Sequence, residues 1–327
     1  MPSAHLAIAI DIGGTSAKLA LVQSPGRMLS RAVIPTHRQM TPAVLLQDIV
    51  LAVRQLRADA RRRGALVVGI GVGVPGLVDA HRGVVRYLVN MPRWRQVPLA
   101  RRIAQATRMP TIVENDVNAM AWGEYRWGAG RGAASLLCVM LGTGVGGGLV
   151  LNGRLYRGWT MSAGEIGHAP LGWRGPSCAC GGRACLEQYT GKRAVVMLAR
   201  RLARRRPSLL RKLSGGDLRA ITPPMIDRAA YRGDAVAREV WRRTGEAIGL
   251  ALTSVVNVVN PERILIGGGI ANAGPLLFPT IRATVKARAM RGPSAVRIVR
   301  ARYGEDAGLI GAAAMVLAPE PDGRTLI

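Results

Sequence analysis

A pattern of strand, glycine turn and strand occurs twice in this sequence and restricts the folds open to it. The two copies are IAIDIGGTSAKLALV (8–22) and LCVMLGTGVGGGLVL (137–151), about 130 residues apart. In each copy a β-rich apolar stretch enters a run of glycines and a second apolar stretch leaves it. Because such a repeat indicates two copies of one structural unit, we expect two related domains.

Strand-like and helix-like patterns alternate through the rest of the chain, which is typical of α/β proteins. A length of 327 residues with 49% hydrophobic residues fits two domains of ordinary size. The predicted elements are a helix over 43–63, a strand from 66 into a turn at 75–76, a helix over 98–108, a strand over 111–116, a helix over 118–128, a mostly helical region over 188–255, strands over 261–271 and 296–304, and a helix over 307–318.

The charge balance is strongly basic, with a formal net charge of +27. Arginine supplies 42 of the 46 basic residues and is spread along the chain. We therefore expect solvated arginine faces and no specific nucleic-acid function. The longest uncharged run, 132–153, is long enough for a membrane span, but its glycines favour a turn between strands. With no membrane segment and no secretion signal in the pattern, we expect a cytoplasmic protein.

Three glycine turns are candidates for binding phosphate, because consecutive backbone N–H groups without Cβ atoms let an anion approach closely. Each is predicted to lie at a strand end and to join two strands, in Asp11–Thr15, Gly142–Gly144 and Gly267–Gly269. Asp11 lies in an apolar strand before the first turn, where an unpaired carboxylate is costly. Two interpretations fit it: Asp11 holds a water molecule of a nucleotide-bound Mg²⁺, or it is a structural cap of the turn.

Asn115 and Asp116 follow the predicted strand TIVEN, at the end of the strand where open α/β sheets bind ligands. The same pair before a helix also fits an ordinary N-cap. Glu165 and Glu187 add carboxylates close in sequence to a candidate metal ligand, and groups of this kind bind sugar hydroxyls.

One imidazole and three thiols form the pattern H-x9-C-x-C-x4-C, with Gly181 and Gly182 between the ligands. The residues are His168, Cys178, Cys180 and Cys185. Four nitrogen and sulfur ligands complete a tetrahedral zinc site with no position left for water, so the pattern predicts structural zinc. Cys138 lies in an apolar strand and is predicted to be a core residue.

Taken together, these motifs make the chain resemble the ROK family of sugar kinases and repressors over nearly its whole length. The motifs that carry the resemblance, in family order, are DIGGTSAK (11–18), GVPGLVD (73–79), ENDVNA (114–119), LGTGVGGG (141–148), GEIGH (164–168), CACGGRACLE (178–187) and IGGGI (266–270). The family pattern is CxCGxxGC, and here Ala184 stands where its second glycine is expected.

The resemblance implies two actin-like, ribonuclease-H-like α/β domains flanking a cleft, with a small zinc-bound loop. The smaller domain is expected at 1–117 with 305–327, and the larger, which carries the zinc motif and the dimerisation surface, at 118–304. It implies ATP-dependent phosphorylation of the 6-hydroxyl of a hexose, with glucose as the first candidate, in a homodimer that uses ATP, Mg²⁺ and structural Zn²⁺. Asp116 is implied to be the general base.

The resemblance also assigns the binding residues. Those implied for sugar are Gly76, Asn90, Asn115, Asp116, Glu165, His168 and Glu187. Those implied for nucleotide are Asp11, Gly13, Gly14, Thr15, Lys18, Thr143, Gly144, Gly268 and Gly269. His168 is thereby implied to serve zinc through one ring nitrogen and sugar through the other.

Two alternatives remain open within the family. One is a kinase for N-acetylmannosamine, N-acetylglucosamine, mannose or fructose, and polyphosphate is a possible alternative donor. The other is a sugar-sensing repressor, which needs a DNA-binding domain ahead of the first strand; only about six residues precede Ala7, so we expect a kinase.

Overall fold

The computed structural model describes residues 5–88 and 90–321. The chain forms two compact units. The first consists of the described parts of Met1–Cys138, Gly148–Ala163 and Arg302–Ile327, and the second of Val139–Gly147 and Gly164–Ala301. None of the helices in the described residues is long and apolar enough to cross a membrane.

The first unit is built on a five-stranded sheet with the order β3-β2-β1-β4-β8 and also holds a small sheet, β5-β6-β7. Its elements up to residue 127 are β1 (His5–Ile12), β2 (Ser16–Gln23), β3 (Arg27–Pro35), α1 (Pro42–Arg62), β4 (Leu66–Val74), β5 (Leu77–Asp79), β6 (Val84–Tyr87), β7 (Arg95–Val97), α2 (Leu99–Thr107), β8 (Thr111–Asn115) and α3 (Asp116–Trp127).

Strands β1, β4 and β8 are parallel, so their carboxyl ends meet at one edge of the sheet. The register aligns Asp11 with Gly73 and Gly73 with Glu114. This alignment places the first glycine turn and the Asn115–Asp116 pair at the same edge. Strands β1 and β2 are antiparallel, with Asp11 opposite Lys18, so the turn between them is a hairpin as predicted.

A second five-stranded sheet has the order β11-β10-β9-β12-β13. Counted within each sheet, its strand order is the same as in the first, in agreement with the sequence repeat. Its strands are β9 (Ser135–Leu141), β10 (Val145–Leu151), β11 (Arg154–Tyr156), β12 (Arg263–Gly267) and β13 (Arg297–Arg300).

The second unit contains residues 139–147, β12 and β13 of this sheet and is otherwise mostly helical, as the pattern over 188–255 predicts. Its helices are α4 (Glu187–Thr190), α5 (Lys192–Arg205), α6 (Leu209–Leu213), α7 (Pro223–Tyr231), α8 (Ala235–Val259) and α9 (Phe278–Arg288). Helix α8 begins where the Asp234 carboxylate accepts the N–H of Ala237 at 2.7 Å, and it ends at Asn260, which is left-handed with φ 50°.

The last helix, α10 (Ala307–Leu317), belongs to the first unit and is buried on nearly all sides. It packs against α3, β1 and β4 through small residues. A Cβ on Gly71 would collide with the carbonyl of Ala312, and a Cβ on Gly123 would lie 2.8 Å from the Cα of Gly311. Because α3 packs on α10, the first unit includes α3, which the predicted boundary after residue 117 leaves out. The ends of the predicted smaller domain, 1–4 and 322–327, lie outside the described residues.

The predicted α/β fold class is confirmed by these two sheets and the helices that pack on them. One expectation about the turns was wrong. The third glycine turn does not join two strands, because the chain leaves β12 at Gly268, with φ 84°, and enters a 3₁₀ helix over Gly269–Leu276.

Candidate functional site

Asn115 ends β8 and is the N-cap of α3. Its side-chain oxygen accepts the N–H groups of Val117 at 2.9 Å and Asn118 at 3.1 Å, and its amide donates to the carbonyl of Gly76 at 3.1 Å. The capping interpretation of Asn115 is therefore correct. Gly76 has φ 92°, a left-handed conformation that favours glycine, and this geometry aims its carbonyl at Asn115.

Asp116 is the first residue of α3 and is half-buried. One of its carboxylate oxygens accepts the N–H of Val117 at 2.9 Å. The position at a helix N-terminus favours a negative charge, since the N–H groups of the first turn, which have no partner within the helix, carry partial positive charge. The carboxylate of Asp116 is thus held in an orientation set by the backbone of α3.

The first glycine turn lies at the same sheet edge as Asp116. The N–H of Gly13 donates to the carbonyl of Ser16 at 2.8 Å, and Thr36 Oγ1 donates to the carbonyl of Gly13 at 2.9 Å. A Cβ on Gly14 would lie 3.1 Å from Nδ2 of Asn90, so a residue assigned to sugar lies beside one assigned to nucleotide.

Asp11 lies against the first turn of α10, where a Cβ on Gly308 would be 2.5 Å from its Oδ2. Burial raises the pKa of Asp11, and the positive charge of Lys18 opposes this shift. A helix N-terminus and a bound cation both stabilise a buried carboxylate, so this position suits a structural cap and a site for a hydrated cation alike.

In the second unit, the turn at Thr143 and Gly144 is fastened to α4 and α5. Glu187 Oε2 accepts the N–H of Val145 at 2.9 Å, and the N–H of Lys192 donates to the carbonyl of Gly142 at 2.9 Å. A Cβ on Gly144 would lie 2.5 Å from Glu187 Oε2, so a side chain there would displace this carboxylate. Glu187, assigned to sugar, thus also holds the backbone of this turn.

Gly268 lies beside the same turn, against the carbonyl of Leu141 at the end of β9, where a side chain would collide. A Cβ on Gly269 would meet no atom within 4 Å, so the backbone there is open to an approaching group. The structure therefore brings two of the predicted phosphate-binding turns of the second unit together.

His168 ends a 3₁₀ turn, Ile166–His168, and its two ring nitrogens face different partners. Nδ1 lies 3.6 Å from Sγ of Cys178, and Nε2 lies 4.0 Å from Oε2 of Glu165. Burial raises the pKa of Glu165, the charge of His168 lowers it and that of Glu187 raises it. The arrangement matches the predicted division of the imidazole between zinc and sugar, which remains a prediction.

The four predicted zinc ligands cluster, with their ligand atoms all within 4.8 Å of one another. Sγ of Cys180 and Cys185 are 3.7 Å apart. A zinc–sulfur bond of about 2.3 Å in a tetrahedron puts two sulfurs roughly 3.7 Å apart, so the donor set fits this ion. The backbone N–H of Cys180 lowers the pKa of Cys178 to about 7, toward the thiolate that binds metal.

Ala184 occupies the position where the family pattern has glycine, and its conformation explains that pattern. Its φ is 55°, in the left-handed region, and its methyl group is fully buried. Its N–H donates to the carbonyl of Pro176 at 2.9 Å and its own carbonyl accepts the N–H of Leu171 at 2.9 Å. The loop thus keeps its turn geometry with alanine, at a cost of about 1 kcal/mol.

Sequence reasoning missed a buried ionic network in the first unit. Arg157 contacts the carboxylates of Glu114 and Glu320, and these residues line a cavity of about 320 Å³ along β8. Burial alone would lower the pKa of Arg157, but the two carboxylates outweigh it and raise that pKa. The one available signal was Glu114 itself, an acidic residue inside an apolar strand.

Comparison with known proteins identifies the class that this fold and these residues define. The model of the ROK family matches residues 7–318. The chain belongs to the ROK family.

Among its relatives, the chain is similar to the glucokinase of Streptomyces coelicolor, with 34% identity over 97% of this chain and 99% of the relative. It is also similar to the crystal structure of a ROK family glucokinase from Streptomyces griseus in complex with glucose and AMPPNP, with a TM-score of 0.80 and 35% identity over 95% of this chain and 99% of that one. A ROK transcriptional regulator, a homolog of the E. coli protein Mlc, matches with a TM-score of 0.87 and 27% identity over 97% of this chain and 78% of that one.

Proposed function

We propose that this protein is an ATP-dependent hexose kinase that converts glucose to glucose 6-phosphate. The observation that carries the proposal is the position of Asp116, at the carboxyl end of β8 and at the N-terminus of α3, at the same sheet edge as a glycine turn. Glucokinases are among the relatives that match nearly end to end, and one of them was crystallised with glucose and an ATP analogue.

In the proposed reaction the 6-hydroxyl oxygen of the sugar forms a bond to the γ-phosphorus of ATP. The bond from that phosphorus to the β,γ-bridging oxygen breaks, and ADP leaves with the electron pair. Asp116 accepts the hydroxyl proton, so that atoms and charge balance. Its role is to orient the nucleophile and take its proton, because phosphoryl transfer depends mainly on positioning and charge neutralisation.

The other roles are proposed from the family resemblance. For the sugar hydroxyls we propose Gly76, Asn90, Asn115, Glu165, His168 and Glu187. For the nucleotide we propose the two hairpin turns and the turn after β12, with Asp11, Gly13, Gly14, Thr15, Lys18, Thr143, Gly144, Gly268 and Gly269. Asp11 would hold a water of the Mg²⁺ that accompanies ATP, and the cluster of His168 with three cysteines would hold zinc as a structural ion.

The regulator class is a weaker candidate for this chain. Its representative superimposes as well as the glucokinase does, so the fold does not separate the two classes. Identity favours the kinase, at 35% against 27%. A kinase for another hexose or an N-acetylated hexosamine stays an alternative within the same chemistry, and polyphosphate an alternative donor.

The assembly and location are also proposals. We propose a homodimer in the cytoplasm, where reduced thiols are available to bind zinc. Light scattering of the purified protein on a sizing column tests the dimer, and a monomer mass would contradict it.

The test of the proposed function is release of ADP from ATP·Mg²⁺ across glucose, mannose, fructose, N-acetylglucosamine and N-acetylmannosamine, with polyphosphate as a second donor. We expect glucose to have the highest kcat/KM, and Asp116→Asn to lower kcat by at least about a hundredfold because the proton acceptor is lost. The matched control is Asp217→Asn. Asp217 is an exposed carboxylate that caps the turn Leu218–Ala220, and asparagine can still cap it. Turnover by Asp116→Asn at the wild-type rate would contradict the assignment of the base.

A further inference from the structure

The buried ionic network of the first unit is centred on Arg157, only 7% exposed, and all three of its nitrogens donate hydrogen bonds. Nε donates to Glu114 Oε2 at 2.7 Å, Nη1 to the carbonyl of Leu155 at 3.2 Å, and Nη2 to Glu320 Oε1 at 2.6 Å. Glu320 Oε2 in turn accepts the N–H of Leu155 at 3.1 Å. A buried guanidinium with this many partners has a single orientation.

Glu114 connects this network to the residues on either side of Asp116. Its carboxylate is 2% exposed, and the oxygen not bound to Arg157 accepts two hydrogen bonds. The donors are the backbone N–H of Asn115 at 3.0 Å and the side-chain amide of Asn118 at 3.2 Å. One carboxylate therefore holds the residue before Asp116 and the residue two positions after it.

The segment that carries Asp116 needs such a restraint. Strand β8 is the edge strand of its sheet and, among the residues that the structure describes, pairs only with β4; Asp116 follows its final residue. Arg157 lies outside this sheet, after β11, and reaches Glu114 from a distant part of the chain. The hydrogen bond from Arg157 to Glu114 therefore restrains the end of β8 in addition to its pairing with β4.

We propose that Arg157 is a positioning residue for Asp116, acting through the carboxylate of Glu114 on the junction of β8 and α3. The inference rests on the proposed function for its kinetic consequence, since it concerns the placement of the proposed base. Arg157 orients Glu114, Glu114 fixes Asn115 and Asn118, and the Asp116 carboxylate is aimed at the substrate hydroxyl. Loss of this restraint misplaces a reacting group, for which a displacement of about 1 Å lowers the rate by about a hundredfold.

The first test is steady-state kinetics of the full-length, zinc-loaded protein with Arg157→Met. We expect kcat to fall about tenfold to a hundredfold, while the KM values for ATP and sugar stay within about threefold. Arg157→Lys retains a cation beside Glu114 and is expected to restore most of the lost kcat. A kcat of Arg157→Met within threefold of the wild type, at equal folded fraction, overturns the proposal.

A matched variant separates positioning from simple anchoring of the chain after α10. Glu320→Gln removes a charge from the other arm of the network and leaves the bond from Arg157 Nε to Glu114 in place. We expect its kcat to stay within about threefold of the wild type. Equal losses in Arg157→Met and Glu320→Gln overturn the proposal, because the network then acts only as an anchor. Arg31→Met removes an exposed pair with Asp306 and controls for loss of an arginine.

Removing one partner of a buried ion pair can prevent folding, so a second variant keeps the test decisive. Glu114→Gln keeps the shape of the side chain but replaces one carboxylate oxygen by an NH₂ group. That group must face either the donor on Arg157 or the donors on Asn115 and Asn118, so hydrogen bonds are lost in both orientations. If Arg157→Met does not fold, Glu114→Gln and Arg157→Lys take its place: we expect lowered kcat in the first and near wild-type kcat in the second. Wild-type kcat in a folded Glu114→Gln overturns the proposal.

Hydrogen exchange tests the restraint without activity. Arg157→Met is expected to raise exchange at the amides of Asn115, Val117 and Asn118 by about tenfold, with no comparable rise in the second unit. If no sugar is turned over by the wild type, the proposed function fails and this measurement alone decides the inference: a local rise at 115–118 supports the restraint, and unchanged or uniformly raised exchange overturns it.

Discussion

At the scale of single residues, Asp227 carries a carboxylate in an unfavourable position. It lies on α7, its buried Oδ1 accepts no hydrogen bond among the described residues, and burial raises its pKa to about 6. A carboxyl group whose pKa is raised by folding makes its full contribution to stability only when the pH is below its unfolded pKa of about 3.8, because it is then neutral in both states. This contribution is lost as the pH rises through about 6.

Asp227→Asn is therefore expected to be more stable than the wild type at pH 8, by about 1–2 kcal/mol, with the difference vanishing near pH 4. Urea unfolding at several pH values measures it. Glu239 provides a control of opposite sign, because hydrogen bonds from Arg242 and Arg243 lower its pKa to about 2. Glu239→Gln should destabilise at pH 8, and a stabilising effect of both substitutions would contradict the assignment.

At the scale of elements, the packing of α10 depends on glycines in β4 and α3. The backbones approach so closely that a methyl group at Gly71 or Gly123 collides with the backbone of α10. Gly71→Ala and Gly123→Ala are each expected to destabilise the first unit by about 2 kcal/mol or more, since backbone must move to admit the methyl group. Thermal unfolding followed by circular dichroism measures the loss.

Gly292 is the matched control for these substitutions. It is exposed, has φ −65°, and a Cβ there meets no atom within 4 Å. Gly292→Ala should change the stability by less than about 0.5 kcal/mol, or slightly raise it through the unfolded state. Equal effects of Gly292→Ala and Gly71→Ala would show that close backbone packing is not the cause.

Elements whose signals are local in sequence were predictable. The hairpin around Gly13 and the start of α3 after Asn115 each depend on neighbouring residues, and turn glycines and capping side chains mark them. The close approach of Gly71 to Ala312 was not predictable, because it joins positions 241 residues apart and has no periodic signal. The 3₁₀ helix after Gly268 was missed because a glycine run marks the end of a strand but does not indicate the type of the next element.

At the scale of the whole molecule, the parts of the candidate site formed by residues close in sequence were predictable, and the parts formed by distant residues were not. The ligands of the metal cluster lie within 18 residues of chain, so their spacing alone predicted their convergence. Arg157 meets Glu114 from 43 residues away and Glu320 from 163. Only the fold brings these three together, and in a chain with 42 arginines nothing in the sequence marked Arg157 as a buried one.

The metal cluster also gives a prediction for the molecule as a whole. Burial and contact with the other thiols raise the pKa of Cys185, so a cation is needed to hold these groups together as thiolates. We expect one zinc per chain by elemental analysis of the purified protein. Its removal by a chelator should destabilise the second unit by about 3 kcal/mol or more, which lowers its melting temperature by about 6–12 °C.

Two variants make that result specific. Cys180→Ser removes an exposed ligand and should lower the zinc content and the melting temperature together, since three ligands hold the ion less tightly than four. Cys138→Ala removes the buried thiol of β9, which lies outside the cluster, and should keep one zinc per chain. If chelation left the melting temperature and the proteolysis pattern of the second unit unchanged, the cluster would not be a structural zinc site, because its four side chains would then hold the loop without an ion.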